Sequence, residues 1–154
     1  MRLGTFQYVL RVGPATLNEA LQFCNAESPM PMVLYKPSYE SLHNAVYEEV
    51  SKYGATTFWT QAKLENGEMA WMWVLEIKYY ICRLVLVKLS HLLNNCSDNS
   101  TTTMPDWVNE QWNDTQFPNE RTGDCTIVGL NNRKNQISAV ECATEVADII
   151  CQPS

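Results

Sequence analysis

At 154 residues, with 45% hydrophobic and 18% charged side chains, the chain has the composition of one globular domain able to bury an ordinary core. A formal net charge of −6, with no cluster of Lys and Arg, excludes a non-specific binder of phosphate backbones, and nucleic acid with it. Six cysteines without a C-x-x-C pair or a zinc-like His spacing point to disulfides and an oxidising compartment.

Met1 to Leu10 is too short and polar for a signal peptide, so the secreted, extracellular location that the cysteines suggest rests on a signal not present in this sequence. Thr5 to Arg11 alternates in hydrophobicity, with Phe6, Tyr8 and Leu10 on one side, and predicts an edge strand that Gly13-Pro14 breaks. Thr16-Leu-Asn-Glu19 is a capping-box pattern. The helix it opens carries Leu17, Ala20, Leu21 and Cys24 at i, i+3, i+4 and i+7, so Cys24 faces the core. Pro29, Pro31 and Pro37 bracket a short apolar run, Met32 to Tyr35. Pro37-Ser38 is expected to cap a second helix with Leu42, Ala45, Val46, Glu49 and Val50 along its inner stripe, ended by Gly54. His43 on that helix reads as a surface or hydrogen-bonded histidine, not a catalytic one.

Thr56 to Thr60 is rich in β-formers, and the Asn66-Gly67 pair is a strong hairpin signal before a returning strand, Met69 to Trp73. Trp71 and Trp73 share one face of that strand, where core packing is the simpler role for them than sugar stacking. Val74 to Leu93 is strongly apolar, yet Glu76, Lys78, Arg83 and Lys88 interrupt it. A membrane span is thereby excluded, since each central charge costs roughly 2.5–3.5 kcal/mol on insertion scales. The segment has no cap, turn or period, and such an abrupt loss of pattern is what a translated intron would produce. Asn94 to Thr103 reads as a polar loop.

Three sequons, at Asn95, Asn99 and Asn113, are candidate glycosylation sites and agree with an extracellular protein. Asp106, Glu110, Asp114, Glu120 and Asp124 crowd one region. Paired carboxylates serve glycoside hydrolysis, but no nucleophile–base–orienter set accompanies these, and an enzyme is not expected. The last thirty residues read as strand, loop, strand with Cys125, Cys142 and Cys151. Six cysteines allow fifteen pairings. A short-range clip between Cys125 and Cys142 and a long one from Cys24 to Cys151 are one choice among these.

The ordered set of motifs resembles a C-type lectin-like domain over residues 5–152, with an atypical insertion at about 74–103. The residues that carry the resemblance are Thr16 to Cys24, Phe58-Trp59-Thr60, Trp71-Met-Trp73, Trp112 through Pro118-Asn119, Gly123-Asp-Cys125, Cys142 and Ile149-Ile-Cys151-Gln. It implies an α+β fold with two helices, two small antiparallel sheets and a long loop region, stapled by Cys24–Cys151 and Cys125–Cys142. Cys82 and Cys96 fall in the insertion, outside that pattern, and are available to each other.

Sugar-binding members of the family hold calcium with carboxylate and amide oxygens that also bond sugar hydroxyls. At the corresponding positions Phe117 precedes Pro118, Gly123 replaces an acid, and Ile137-Ser138-Ala139 stands where a Trp-Asn-Asp motif would be. Asn119 alone is retained. The expectation is no metal and no other cofactor. The resemblance then implies an extracellular, non-enzymatic recognition module of carbohydrate-binding type that works without the usual calcium site, through the loop from Trp107 to Arg121. Trp107, Trp112 and Phe117 are candidates for stacking on sugar, with Asn109, Asn119 and Glu120 as hydrogen-bonding partners. The plainer role for both tryptophans is core packing. The alternative is a domain whose ligand is a protein, which Phe117 favours because aromatic residues are enriched at interface cores.

Overall fold

The computed structural model describes residues 2–3, 7–27, 30–65, 68–70, 104–112, 121–129 and 133–153. Trp71, Trp73, the insertion at 74–103 with Cys82 and Cys96, and all three sequon asparagines lie outside them. In chain order the elements are β1 (Arg2–Leu3), β2 (Tyr8–Ala15), α1 (Leu17–Asn25), β3 (Val33–Leu34) and α2 (Glu40–Ser51). There follow β4 (Phe58–Glu65), β5 (Glu68–Ala70), α3 (Asp106–Trp112), β6 (Cys125–Val128), β7 (Ile137–Val140) and β8 (Ala147–Gln152).

The C-terminal strand β8 is the hub. It pairs antiparallel with β2 and with β3, and in parallel with β4 through Phe58 opposite Asp148. On the far side β4 pairs antiparallel with β5 and β6, and β6 with β7. The two antiparallel groups expected from the sequence are therefore present, joined into one mixed sheet at the β4–β8 seam. Asp148 reinforces that seam with its side chain, which accepts the amides of Gly13 at 2.8 Å and Thr56 at 3.3 Å.

Side chains alternate across the sheet and both faces are covered. Leu10, Phe58, Val128, Ile137, Ala139 and Ile150 point to a core shared with α2 and α3. Their neighbours Val9, Trp59, Ile127, Val140, Ile149 and Cys151 point to a second core under α1. This period-2 division explains why β6 and β7 are buried at every position and why the terminal strands read as unbroken apolar runs.

Several local expectations need correction. The pair Gly13-Pro14 does not end the first strand. β2 continues to Ala15 through a register shift after Arg11, where Gly13 takes φ 131°, so the breaker makes an irregularity that the strand survives. Nor is β2 an edge, since it lies between β1 and β8. In α1 the capping is as read, with Thr16 Oγ1 accepting the Glu19 amide at 3.3 Å and Leu17, Ala20 and Cys24 buried. In α2 the N-cap is Tyr39 without a side-chain cap, and the buried stripe is His43, Val46 and Val50, rotated from the expected one. The helix ends at Ser51, with Gly54 three residues beyond at φ 91°. A third helix, α3, opens what the sequence presents as a loop. Its first turn is closed by the Pro105 carbonyl, which accepts the amides of Val108 and Asn109. Asp106 in that turn suits the helix dipole.

The described cysteines pair as the resemblance implies, Cys24 with Cys151 and Cys125 with Cys142. The first bridge fastens α1 to the hub strand across 127 residues of chain, the second closes a 17-residue span over β6 and β7. No helix among the described residues is long and apolar enough to cross a membrane.

Candidate functional site

The long loop leaves the core through α3 and returns along residues 121–124 into β6. Both legs lean on β7. On the outgoing leg, Trp107, Val108 and Trp112 are buried and hold the helix to the sheet. The Trp107 indole N–H donates to the Ser38 carbonyl oxygen at 2.5 Å, ahead of α2. Its ring stacks on His43, with centroids 4.6 Å apart and planes 25° from parallel.

The Trp112 ring is covered by the Arg121 guanidinium, 4.1 Å from the ring centroid. Arg121 Nη2 also donates to the Trp112 carbonyl oxygen at 3.0 Å. One side chain thus closes the C-terminal end of α3 and ties the two legs together, using a cation over an aromatic face and a helix-terminal carbonyl. On the return leg, Arg121 pairs in parallel with Ala139, and Thr122 donates its amide to the Ala139 carbonyl oxygen at 2.8 Å.

Of the expected ligand-binding residues, Trp107 and Trp112 are corrected. With 7% and 4% of their surface exposed, and their rings against His43 and Arg121, they present no free face for a sugar to stack on. They are core side chains, because the loop's outgoing leg must bury an apolar stripe to form a helix at all. Asn109 is exposed on the opposite side of α3 with Asp106 and Glu110. Phe117, Asn119 and Glu120 lie outside the described residues.

The positions that the resemblance assigns to calcium can be tested on four residues. Gly123 packs so tightly on β7 that an added Cβ would overlap the Val140 carbonyl oxygen and come 2.7 Å from Glu141 Cα. A carboxylate there is sterically impossible without moving the strand. Ile137 and Ala139 are buried and carry no oxygen in their side chains, and Ser138 is buried with its hydroxyl facing no hydrogen-bond partner. These residues do not fit a calcium ion. Among the described residues, no group of three or more His, Cys, Asp or Glu side chains could hold a metal.

The residue that sequence reading underrated is His43. It is fully buried. Its Nδ1 faces the Tyr35 hydroxyl at 2.8 Å and its Nε2 faces the Lys134 carbonyl oxygen at 2.5 Å. A carbonyl only accepts, so Nε2 carries a proton, and in the neutral ring Nδ1 accepts from the Tyr35 hydroxyl. Burial lowers the His43 pKa below the ordinary imidazole value and raises that of Tyr35. The available signal was its place at i−3 from Val46 and i−7 from Val50, a core spacing filled by a residue not counted as apolar.

No family model matches the sequence, and no curated protein matches it. Solved structures do. The chain is similar to human lithostathine over 94% of its own length and 80% of that chain, at 12% identity and a TM-score of 0.53. It is similar to an EPNH mutant of CEL-I over 94% and 86% of the two chains, at 12% identity and a TM-score of 0.56. The carbohydrate-recognition domain of the human scavenger receptor C-type lectin aligns over 94% and 87%, at 14% identity and a TM-score of 0.48. At such identities the likeness is one of fold.

Proposed function

From the C-type lectin-like fold that this chain adopts, we propose that it is an extracellular, non-enzymatic recognition module. It occupies residues 5–152, with 74–103 as an insertion, and engages its ligand through the long loop without calcium. The single observation that carries this reading is Gly123 seated against the Val140 and Glu141 backbone. The strand that would hold a calcium ligand is packed too closely to accept one. Asn109 on the exposed side of α3 and Phe117, Asn119 and Glu120 beyond it are the proposed contacts.

The burial of Trp107 and Trp112 favours a protein over a free sugar as that ligand. Aromatic stacking on sugar would then rest on Phe117 alone, while the loop keeps a rim of Asp106, Asn109 and Glu110 suited to a polar-edged interface. Catalysis is not part of the reading, because among the described residues the exposed Asp106, Glu110 and Asp124 come with no activated nucleophile.

The test is a glycan array probed with refolded, disulfide-bonded protein in calcium and again in chelator. The expected outcome is identical profiles in the two conditions. Monosaccharide binding that chelator abolishes would overturn the calcium-free site, and chelator-insensitive binding to a defined glycan would replace the protein ligand with a sugar.

A further inference from the structure

Among the described residues Val12, Met30, Tyr39, Tyr53 and Val146 are large apolar side chains left exposed, and Tyr39 is the one that breaks a local rule. It is the N-cap of α2, where Ser, Thr, Asp and Asn are favoured because a short side-chain oxygen accepts an amide of the first turn. Tyr39 forms no such bond, and 65% of its surface is exposed. It therefore serves neither the helix nor the core. A departure from local preference with no compensating gain in the fold marks a place to look for a functional contact.

Its surroundings put it beside the proposed ligand face. The Trp107 indole N–H donates to the carbonyl oxygen of Ser38, the residue before Tyr39, and the Trp107 ring stacks on His43, one turn further along α2. The first turns of α2 and α3 are thus fastened together, with Tyr39 on one and the exposed Asp106 on the other. Burial first, and then the nearby Tyr39 phenol, raise the Tyr8 pKa, so half-buried Tyr8 is a neighbour on the strand side. Leu42, at i+3 from Tyr39, and Met104, just ahead of α3, are half-buried and add apolar surface.

Charge selects the occupant. α2 and α3 together carry Glu40, Glu48, Glu49, Asp106 and Glu110 and not one Lys or Arg. Lys52, at the C-cap of α2, is already joined to Glu49 at 2.8 Å. Glu40, next to Tyr39, bonds the neutral amide of Asn135 at 2.9 Å, a contact that brings no opposite charge. Lys134 approaches α2 at His43 and marks the limit of the acidic edge. A second copy of this chain would set these carboxylates against their like, and a phosphate-bearing ligand would meet the same repulsion.

We infer that Tyr39 is the aromatic anchor of the ligand-binding face and that its occupant is a Lys- and Arg-rich segment of a protein ligand. The phenol ring receives an apolar side chain or an arginine guanidinium, while Glu40, Asp106 and Glu110 receive the flanking cations. Tyrosine and tryptophan anchor interfaces by bringing large contact area at low entropic cost. With Trp107 and Trp112 turned inward, Tyr39 supplies that area at the base of the loop. The inference rests on the recognition reading above and names the chemistry of the ligand.

The test selects random linear peptides, displayed on phage, against the full disulfide-bonded chain and measures the binders as free peptides by surface plasmon resonance. The expected consensus has Arg or Lys beside an apolar residue, with affinity that falls as salt rises. Tyr39→Ser should weaken binding about tenfold or more, mainly through faster dissociation. Its thermal midpoint should be no lower than that of the parent, because Ser is the better N-cap, which separates lost binding from lost folding. Asp106→Asn with Glu110→Gln should slow association and flatten the salt dependence. Met30→Ser, at a position also exposed but in the segment after α1, should change nothing. The anchor is overturned if no peptide is selected, if the consensus is acidic or uncharged, or if Tyr39→Ser binds like the parent. Binders that survive Tyr39→Ser but are lost in Phe117→Ser would keep the loop as the recognition surface and remove only this anchor. The glycan array in calcium and chelator judges the recognition reading without reference to Tyr39.

Discussion

At the scale of single residues, Gly123 decides more about the site than any side chain around it. Its lack of a Cβ is what lets residues 121–124 lie against β7 with the Thr122 amide bonded to Ala139. Gly123→Ala would force backbone against backbone, and such overpacking typically costs about 1–3 kcal/mol. Chemical denaturation should report that loss, with fluorescence of the return leg's neighbour Trp112 changing alongside it. A stable, unshifted alanine variant would mean that the leg moves freely off the strand. His43 shows the opposite case, a polar residue in a core position. It is tolerated there because Tyr35 and Lys134 satisfy both nitrogens, so the desolvation cost is offset by bonds. Gln61 is satisfied only in part, buried in β4 with its amide nitrogen donating to the Leu34 carbonyl oxygen and its Oε1 facing no hydrogen-bond partner.

Among the elements, α3 is the one whose existence depends most on its surroundings. Seven residues make less than two full turns, too short to persist alone in water. It survives by burying Trp107, Val108 and Trp112 and by the Arg121 clasp at its C-terminal end. Arg121→Ala should therefore cost only about 1 kcal/mol of global stability, because the arginine is exposed and its cation–π contact is worth about 0.5–1 kcal/mol at such sites. The effect should be local, with hydrogen exchange accelerated across residues 106–112 and unchanged in α1. Equal acceleration in both helices would argue that α3 is not a separately opening unit. α1 needs no such help, since its capping residue, its apolar spacing and its cysteine all lie within ten residues of each other.

For the whole molecule, the two disulfides divide the labour by span. Chain entropy assigns roughly 5 kcal/mol to the bridge that spans 127 residues and roughly 3 kcal/mol to the one that spans 17. Replacing Cys24 and Cys151 together by Ala should thus lower unfolding free energy by more than replacing Cys125 and Cys142, as read by denaturant midpoints at equal slope. The order should hold even if the absolute values shrink. Reversal would place the residual structure of the denatured chain near the ends rather than between β6 and β7. One bridge fastens α1 to β8 and the other ties β6 to the end of β7, so the sheet that carries the loop's footing is stapled on both sides of the β4–β8 seam.

What could be read from the sequence was whatever a local pattern encodes: the capped helix from Leu17 with Cys24 inward, the β-rich Phe58 to Thr60, the apolar terminal run, and through the resemblance the pairing of four cysteines. Neighbours in sequence generate those features, so spacing reports them. The rest depends on partners far along the chain. Trp107 is a core residue because Ser38 and His43 receive it, and His43 can be buried because Tyr35 and Lys134 meet its two ring nitrogens. Gly123 excludes a side chain because Val140 lies against it. The sequence by itself determined the frame and the missing oxygens at positions 117, 123, 137 and 139. Only the tertiary structure decided that the tryptophans face inward, that the loop begins as a helix and that a histidine fastens it. Burial and close approach are properties of segments brought together, and no periodicity within either segment records them.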